Sequence, residues 1–113
     1  LWTGGRNVLP NSHLCLGGVP SKVEGNSGII IYVGEISHGD ELLELLKGLD
    51  DKEVQSTRIR VITCLSSSPG LKKIAEEYPE LTIYCCCIDA ELSENIDICP
   101  GIGNPSKRIN TRF

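Results

Sequence analysis

At 113 residues the chain has room for one domain and one core, not two. A formal net charge of −4 and a pI near 5.1 argue against general affinity for nucleic acid, and no apolar run approaches the ~20 residues that a membrane-spanning helix needs. Six cysteines, with no CxxC pair and no histidine at zinc-ligand spacing, read as small apolar side chains buried in a reducing compartment rather than as a metal site or a disulfide framework.

In chain order, Leu1 to Pro10 is a turn-rich approach, and His13 to Leu16 reads as a short strand closed by Gly17-Gly18. Val19 to Ser27 is polar. Gly28 to Val33, GIIIYV, predicts a fully buried strand. After the turn Gly34 to Gly39, Asp40 is placed to cap a helix over Glu41 to Lys47. Leu42, Leu43 and Leu46 face inward there, and Gly48 is the stop. Leu49 to Thr57 reads as a polar connection. Arg58 to Leu65 is β-branched and apolar, a second buried strand. Ser68-Pro69 supplies an N-cap hydroxyl and a proline at the first helical position. Leu71, Ile74, Ala75 and Tyr78 then recur at helical spacing until Pro79, and Leu81 to Ile88 forms a third strand. An acidic loop follows, ending in the Pro100-Gly101 turn.

Strands alternating with amphipathic helices imply right-handed crossovers and a parallel sheet. The expected fold class is α/β, a partial, Rossmann-like parallel sheet flanked by helices. The expected organisation is a single domain over 1–113, with its core at 28–103 and flexible ends at 1–12 and 104–113. A chain without methionine that opens on Leu1 reads as a processed product, a fragment or a part of something longer.

The stretches RIRVITCLSSSPGLKKI, YPELTIYCCCIDAELSEN and ICPGIG, with NPSKR after them, carry a resemblance. Together they resemble the C-terminal part of a uracil phosphoribosyltransferase, over Arg58 to about Arg108. The resemblance implies a phosphoribosyltransferase-like fold. It also implies an enzyme that makes uridine monophosphate from uracil and phosphoribosyl pyrophosphate with Mg²⁺.

The family's site positions are altered here. An arginine-bearing loop that contacts the donor's pyrophosphate becomes Pro20, Ser21 and Lys22, and a lysine lacks the bidentate fork of arginine. Where the family has an aspartate for the ribose hydroxyls, this chain has Val33; Glu35 replaces it only with a two-residue shift. The phosphate cradle keeps Gly39, but Asp40 and Glu41 follow, and two carboxylates repel an anionic donor. The base-reading Gly-Tyr-Ile segment becomes Ile96-Asp97-Ile98, and a β-branched residue disfavours the left-handed backbone a glycine allows. The turn that ends at Gly103 is kept, and Arg108 alone matches the acidic run beyond it. The family positions retained or replaced are therefore Gly39, Asp40, Ile98, Gly103 and Arg108. Ser66, Ser67 and Ser68, at a helix N-terminus, form a candidate anion site.

These departures set up the expectation of a non-catalytic scaffold built on a degenerate phosphoribosyltransferase fold. Such a subunit would need no cofactor and would be held by protein partners in a larger assembly, in plastid or cytoplasm. The alternative is the enzyme itself, with Mg²⁺. A third reading is a domain that binds an anion at Ser66 to Ser68 without chemistry.

Overall fold

The computed structural model describes residues 22–103 together with 107 and 108. The expectations for the ends, the strand at His13 to Leu16, Pro20 and Ser21 lie outside those residues. Three parallel strands stand in the order β1 (Ile29–Ile36), β2 (Ile59–Ser67) and β3 (Thr82–Asp89). Helix α1 (Asp40–Asp50) links the first two, and α2 (Ser68–Glu77) links β2 to β3. A short antiparallel pair, β4 (Glu91–Leu92) and β5 (Ile98–Cys99), completes the described chain. The α/β expectation is met: a parallel sheet with two helices.

Because sequential strands are spatial neighbours and both crossovers are right-handed, both helices fall on the same face of the sheet. The core lies under them. Ile31, Ile59 and Val61 pack with Leu42, Leu46 and Ile74, all of them buried. Among the described residues the opposite face has no such cover. Along it Tyr32, Ile62 and Tyr84 stand level across the three strands, with Tyr32 76% and Tyr84 57% exposed. The expectation of a buried strand at GIIIYV is corrected accordingly. Its strand alternates, and Ile30 is 58% exposed.

The cysteines require the same correction. Cys64, Cys86 and Cys87 are exposed, while Cys85 and Cys99 are half-buried; Cys15 lies outside the described residues. Cys64 and Cys86 fall on the uncovered face, and β3 is an edge of the sheet, so small apolar side chains there find no second layer.

Helix α1 begins differently from expectation and runs longer. Gly39 is the N-cap, in the left-handed region at φ 86°, and Asp40 is the first helical residue, with no side-chain cap bond at this end. Gly48 does not stop the helix. Leu49, one turn beyond Leu45 and Leu46, is 2% exposed, and burying it outweighs the ~1 kcal/mol that a glycine costs inside a helix. The end comes in the segment expected to be merely polar. Val54 N–H donates to Leu49 O at 3.1 Å and Glu53 N–H to Asp50 O at 2.8 Å, the paired bonds of a Schellman motif. Val54 is buried, and Glu53 takes the left-handed position at φ 61°.

In α2 the cap is one residue earlier than expected. Ser67 Oγ accepts from Gly70 N–H at 3.0 Å, and Pro69 sits within the first turn, where its missing N–H has no intrahelical partner to lose.

Candidate functional site

The carboxyl ends of parallel strands are where an open α/β sheet binds ligands. Here three segments meet: the β1–α1 turn, the β2–α2 junction, and the chain from Asp89 through the β4–β5 hairpin. The first two are locked to each other by backbone contact. A Cβ on Gly70 would stand 2.1 Å from Ser37 O, and a Cβ on Gly39 would stand 3.1 Å from Gly70 O. Ser67 Oγ donates to Ser37 O while it caps Gly70. Only glycine fits at position 70. This contact also explains why Gly39 keeps the cap position, since its left-handed backbone brings the chain over α2.

Asp40 is not a bare carboxylate at this helix start. It is ion-paired with Lys73 from α2, and His38 Nε2 lies 3.2 Å from its other oxygen. Ser37 Oγ lies 3.1 Å from His38 Nδ1. The Lys73 hydrogen bond, with help from the charges of Lys73 and His38, holds the Asp40 carboxyl below its ordinary range. Sequence reasoning missed Lys73 because it lies 33 residues away, on the exposed side of another helix. The adjacent His38 was a visible signal.

The serine cluster divides. The side chains of Ser66 and Ser67 are fully buried. Ser67 Oγ is engaged twice, as described, and Ser66 Oγ accepts from Cys85 Sγ at 3.3 Å. Ser68 alone is exposed. The three hydroxyls do not converge on one open point.

Beyond β3, Asp89 Oδ2 accepts from Gly101 N–H at 2.8 Å and ties the strand end to the turn after β5. That turn folds back tightly, with Gly101 at φ 58° and no room for a Cβ beside Ile98 O. Ile98 is buried, and β5 lies against β2. Gly103, at φ 78°, has the Arg108 guanidinium beside it: Arg108 Nε would stand 3.9 Å from a Cβ there.

The segment Ile96-Asp97-Ile98 holds the main departure from expectation. Ile96 adopts φ 66°, the left-handed backbone that its β-branched side chain was expected to forbid. Ser93 enforces it. Ile96 N–H donates to Ser93 O at 2.9 Å, Ser93 N–H to Asp97 O at 2.8 Å, and Asp97 N–H to Ser93 Oγ at 3.1 Å. Three bonds offset a conformation that costs ~1–2 kcal/mol. Glu35, near the end of β1, faces the same region. Burial first, and then the negative charge of Asp97, push its carboxyl above the ordinary value.

Two grooves stand among the described residues, the first of them adjoining the Asp40–Lys73 pair. One of about 420 Å³ runs between the helices and is lined by Asp40, Glu44, Lys47, Lys73 and Glu77 among others. Another of about 350 Å³ sits at the amino end of the sheet, around Ser27 and Arg58.

A family profile described as "Uracil phosphoribosyltransferase" matches residues 9–111. Uracil phosphoribosyltransferase of Synechococcus elongatus is 33% identical over 91 residues, 80% of this chain and 42% of the relative. The Mycoplasma genitalium protein of the same name is 30% identical over 74% of this chain and 40% of its own length. "Uracil phosphoribosyltransferase, chloroplastic" of Arabidopsis thaliana is 26% identical over 91% of this chain and 34% of its own. The chain thus spans less than half the length of these curated relatives. Among solved structures, the AQ2163 protein from Aquifex aeolicus superposes with a TM-score of 0.64 at 21% identity, over 78% of this chain and 42% of that one, which is a likeness of fold.

Proposed function

Because the chain belongs to the uracil phosphoribosyltransferase family, we propose that it works in the transfer of a phosphoribosyl group to uracil. N1 of uracil bonds to C1 of the ribosyl donor, pyrophosphate leaves, the N1 proton is lost, and uridine monophosphate results. The relatives' names and the family match overturn the expectation of a non-catalytic subunit in a larger complex. The charge argument behind that expectation also weakens: Lys73 and His38 face the Asp40 carboxylate, so it does not present a free negative charge to a donor phosphate.

The observation that carries the proposal is the backbone of Ile96. Ile96, which stands where the resemblance puts a glycine, adopts the left-handed backbone that a glycine allows most readily. In this reading the hairpin around Ile96-Asp97-Ile98 meets the edge of uracil. Glu35, two residues beyond the family's aspartate position, meets the ribose hydroxyls, which donate hydrogen bonds to its carboxylate oxygens. Gly39 and the start of α1 face the 5′-phosphate, and Arg108 beside Gly103 faces the pyrophosphate.

Mg²⁺ enters with the resemblance. Among the described residues no three His, Cys, Asp or Glu side chains converge to hold a metal ion. Among the described residues no helix is long and apolar enough to cross a membrane. The free thiols and the chloroplastic name of the Arabidopsis relative support a reducing compartment, plastid or cytosol, as the place of work.

The test is chromatographic detection of uridine monophosphate after incubating the purified chain with uracil, phosphoribosyl pyrophosphate and Mg²⁺. Product from uracil and none from cytosine is expected, with at least a tenfold loss in Glu35→Gln. A chain that is folded by circular dichroism, yet makes no product and takes up neither donor nor uridine monophosphate in calorimetry, overturns the proposal.

A further inference from the structure

The hairpin assigned to uracil turns through Glu94, Asn95 and Ile96, between Ser93 and Asp97. Ser93 N–H donates to Asp97 O at 2.8 Å and extends the pairing of Leu92 with Ile98 by one step. A loop of this length is commonly closed by a residue in the left-handed region, and glycine suits that place best. Here the closing residue is Ile96, at φ 66° and 47% exposed. Hydrogen bonds, more than packing of its side chain, therefore hold its backbone. Two of the three bonds in the turn join backbone groups, and any residue at position 93 can make them. The third depends on the serine: Ser93 Oγ accepts from the Asp97 N–H at 3.1 Å.

Ser93 thus grips both peptides that flank Asp97, and this fixes where their other ends point. In a trans peptide the N–H and the C=O face opposite ways. The Asp97 N–H points at Ser93 Oγ, so the Ile96 C=O of the same peptide points away from Ser93. The Asp97 C=O points at Ser93 N, so the Ile98 N–H points away as well. An acceptor at Ile96 and a donor at Ile98 are thereby turned to one side of the hairpin. Uracil carries the complement, N3–H beside the C4 carbonyl oxygen. Cytosine carries the reverse, a bare N3 beside an amino group.

We propose that Ser93 is the positioning residue of base recognition. Its hydroxyl holds the Asp97 peptide so that the Ile96 carbonyl and the Ile98 N–H face uracil, in a loop that lacks the glycine suited to the turn. The inference rests on the transferase reading of this hairpin.

Steady-state kinetics of uridine monophosphate formation, with uracil and phosphoribosyl pyrophosphate varied separately, test it. Ser93→Ala is expected to raise the KM for uracil by roughly threefold or more, the range of one lost hydrogen bond. Its kcat and its KM for the donor should stay as they are. Ser93→Thr keeps the hydroxyl and should behave as the unsubstituted chain. Adding Ile96→Gly to Ser93→Ala should return the uracil KM to within about twofold, because glycine takes the left-handed backbone without help. A residue that merely stabilises the fold would lower the amount of active protein, and so kcat, without acting on one substrate alone. Each variant is first checked for an unaltered circular dichroism spectrum. Ser93→Cys, of similar size and a weaker acceptor, replaces Ser93→Ala if that variant does not fold. An unchanged uracil KM, an equal rise in the donor KM, or no recovery with Ile96→Gly overturns the inference and leaves the transferase reading standing. An unsubstituted chain that is folded and makes no uridine monophosphate overturns both.

Discussion

The Asp89 carboxylate accepts a hydrogen bond from the Gly101 N–H at 2.8 Å, joining the last sheet strand to a turn twelve residues further along the chain. It is the contact that holds the hairpin's far end against the carboxyl edge of the sheet. Asp89→Ala leaves the half-buried Gly101 N–H without that partner. A charge-assisted bond of this kind contributes about 1.5–3 kcal/mol, so urea unfolding of Asp89→Ala should show a midpoint lowered by roughly that amount divided by the m-value. Asp89→Asn keeps an acceptor oxygen and should lose less than half as much. Equal losses in the two variants would mean that the carboxylate acts here only through its charge.

The end of α1 offers a stabilising change. Glu53 occupies the left-handed position of a Schellman motif with φ 61°, where glycine is the usual occupant. Its side chain is exposed, so replacing it forfeits little packing. Relief of left-handed strain, ~1–2 kcal/mol, less the added freedom of a glycine in the unfolded chain, ~0.4–1 kcal/mol, leaves a net gain of up to about 1.6 kcal/mol for Glu53→Gly. Thermal unfolding should move upward by several degrees.

Ile96 gives a comparison independent of packing. Ile96→Ala and Ile96→Gly both remove the same buried part of the side chain. Elsewhere in a regular element, glycine is less stable than alanine by ~0.5–1 kcal/mol. At φ 66° the order should invert, with Ile96→Gly the more stable of the two by about 1 kcal/mol in denaturant titration. If the proposed role of this segment holds, Ile96→Gly also retains uridine monophosphate binding, because the family's own residue type is restored. Alanine more stable than glycine would place Ile96 outside the left-handed region in solution.

What the sequence made legible here was whatever depends on neighbours along the chain. The β-branched runs at Ile29 and Ile59, the Ser-Pro start of α2 and the helical spacing of Leu42, Leu46 and Ile74 all express local preferences that the packing agrees with. What stayed hidden depends on distant partners. Gly39 displaces Asp40 from the cap because its backbone must approach Gly70, thirty-one residues on. Cys64 and Cys86 are exposed because both helices take the other face, which is a property of strand order and not of the CCC run. Ile96 defeats its own propensity because Ser93 bonds the turn from both sides. The Asp40–Lys73 pair, which alters the electrostatics of the β1–α1 turn, joins two helices that no local pattern connects.

Two carboxylates at this end of the sheet should respond to pH with opposite signs. Asp40 is held below its ordinary value of 3.8, chiefly by the hydrogen bond from Lys73. The folded state favours the ionised form, so its contribution is complete above the unfolded value and disappears as pH falls through the lower folded one. The pair is about half exposed, so the effect is worth at most ~0.2–1 kcal/mol and fades with added salt. Glu35 is raised above 4.5 by burial and by Asp97. The folded state favours its protonated form, so its contribution is complete below the unfolded value and is lost as pH rises through the higher folded one. Glu35→Gln should therefore raise stability at neutral pH and leave it unchanged at pH well below 4.5, whereas Lys73→Gln should lower stability at neutral pH and converge with the unsubstituted chain in acid. Urea midpoints collected across that window for both variants decide the matter. If Glu35→Gln is destabilising at neutral pH, Glu35 is ionised and paired in the folded chain, and its place beside Asp97 would have to be abandoned.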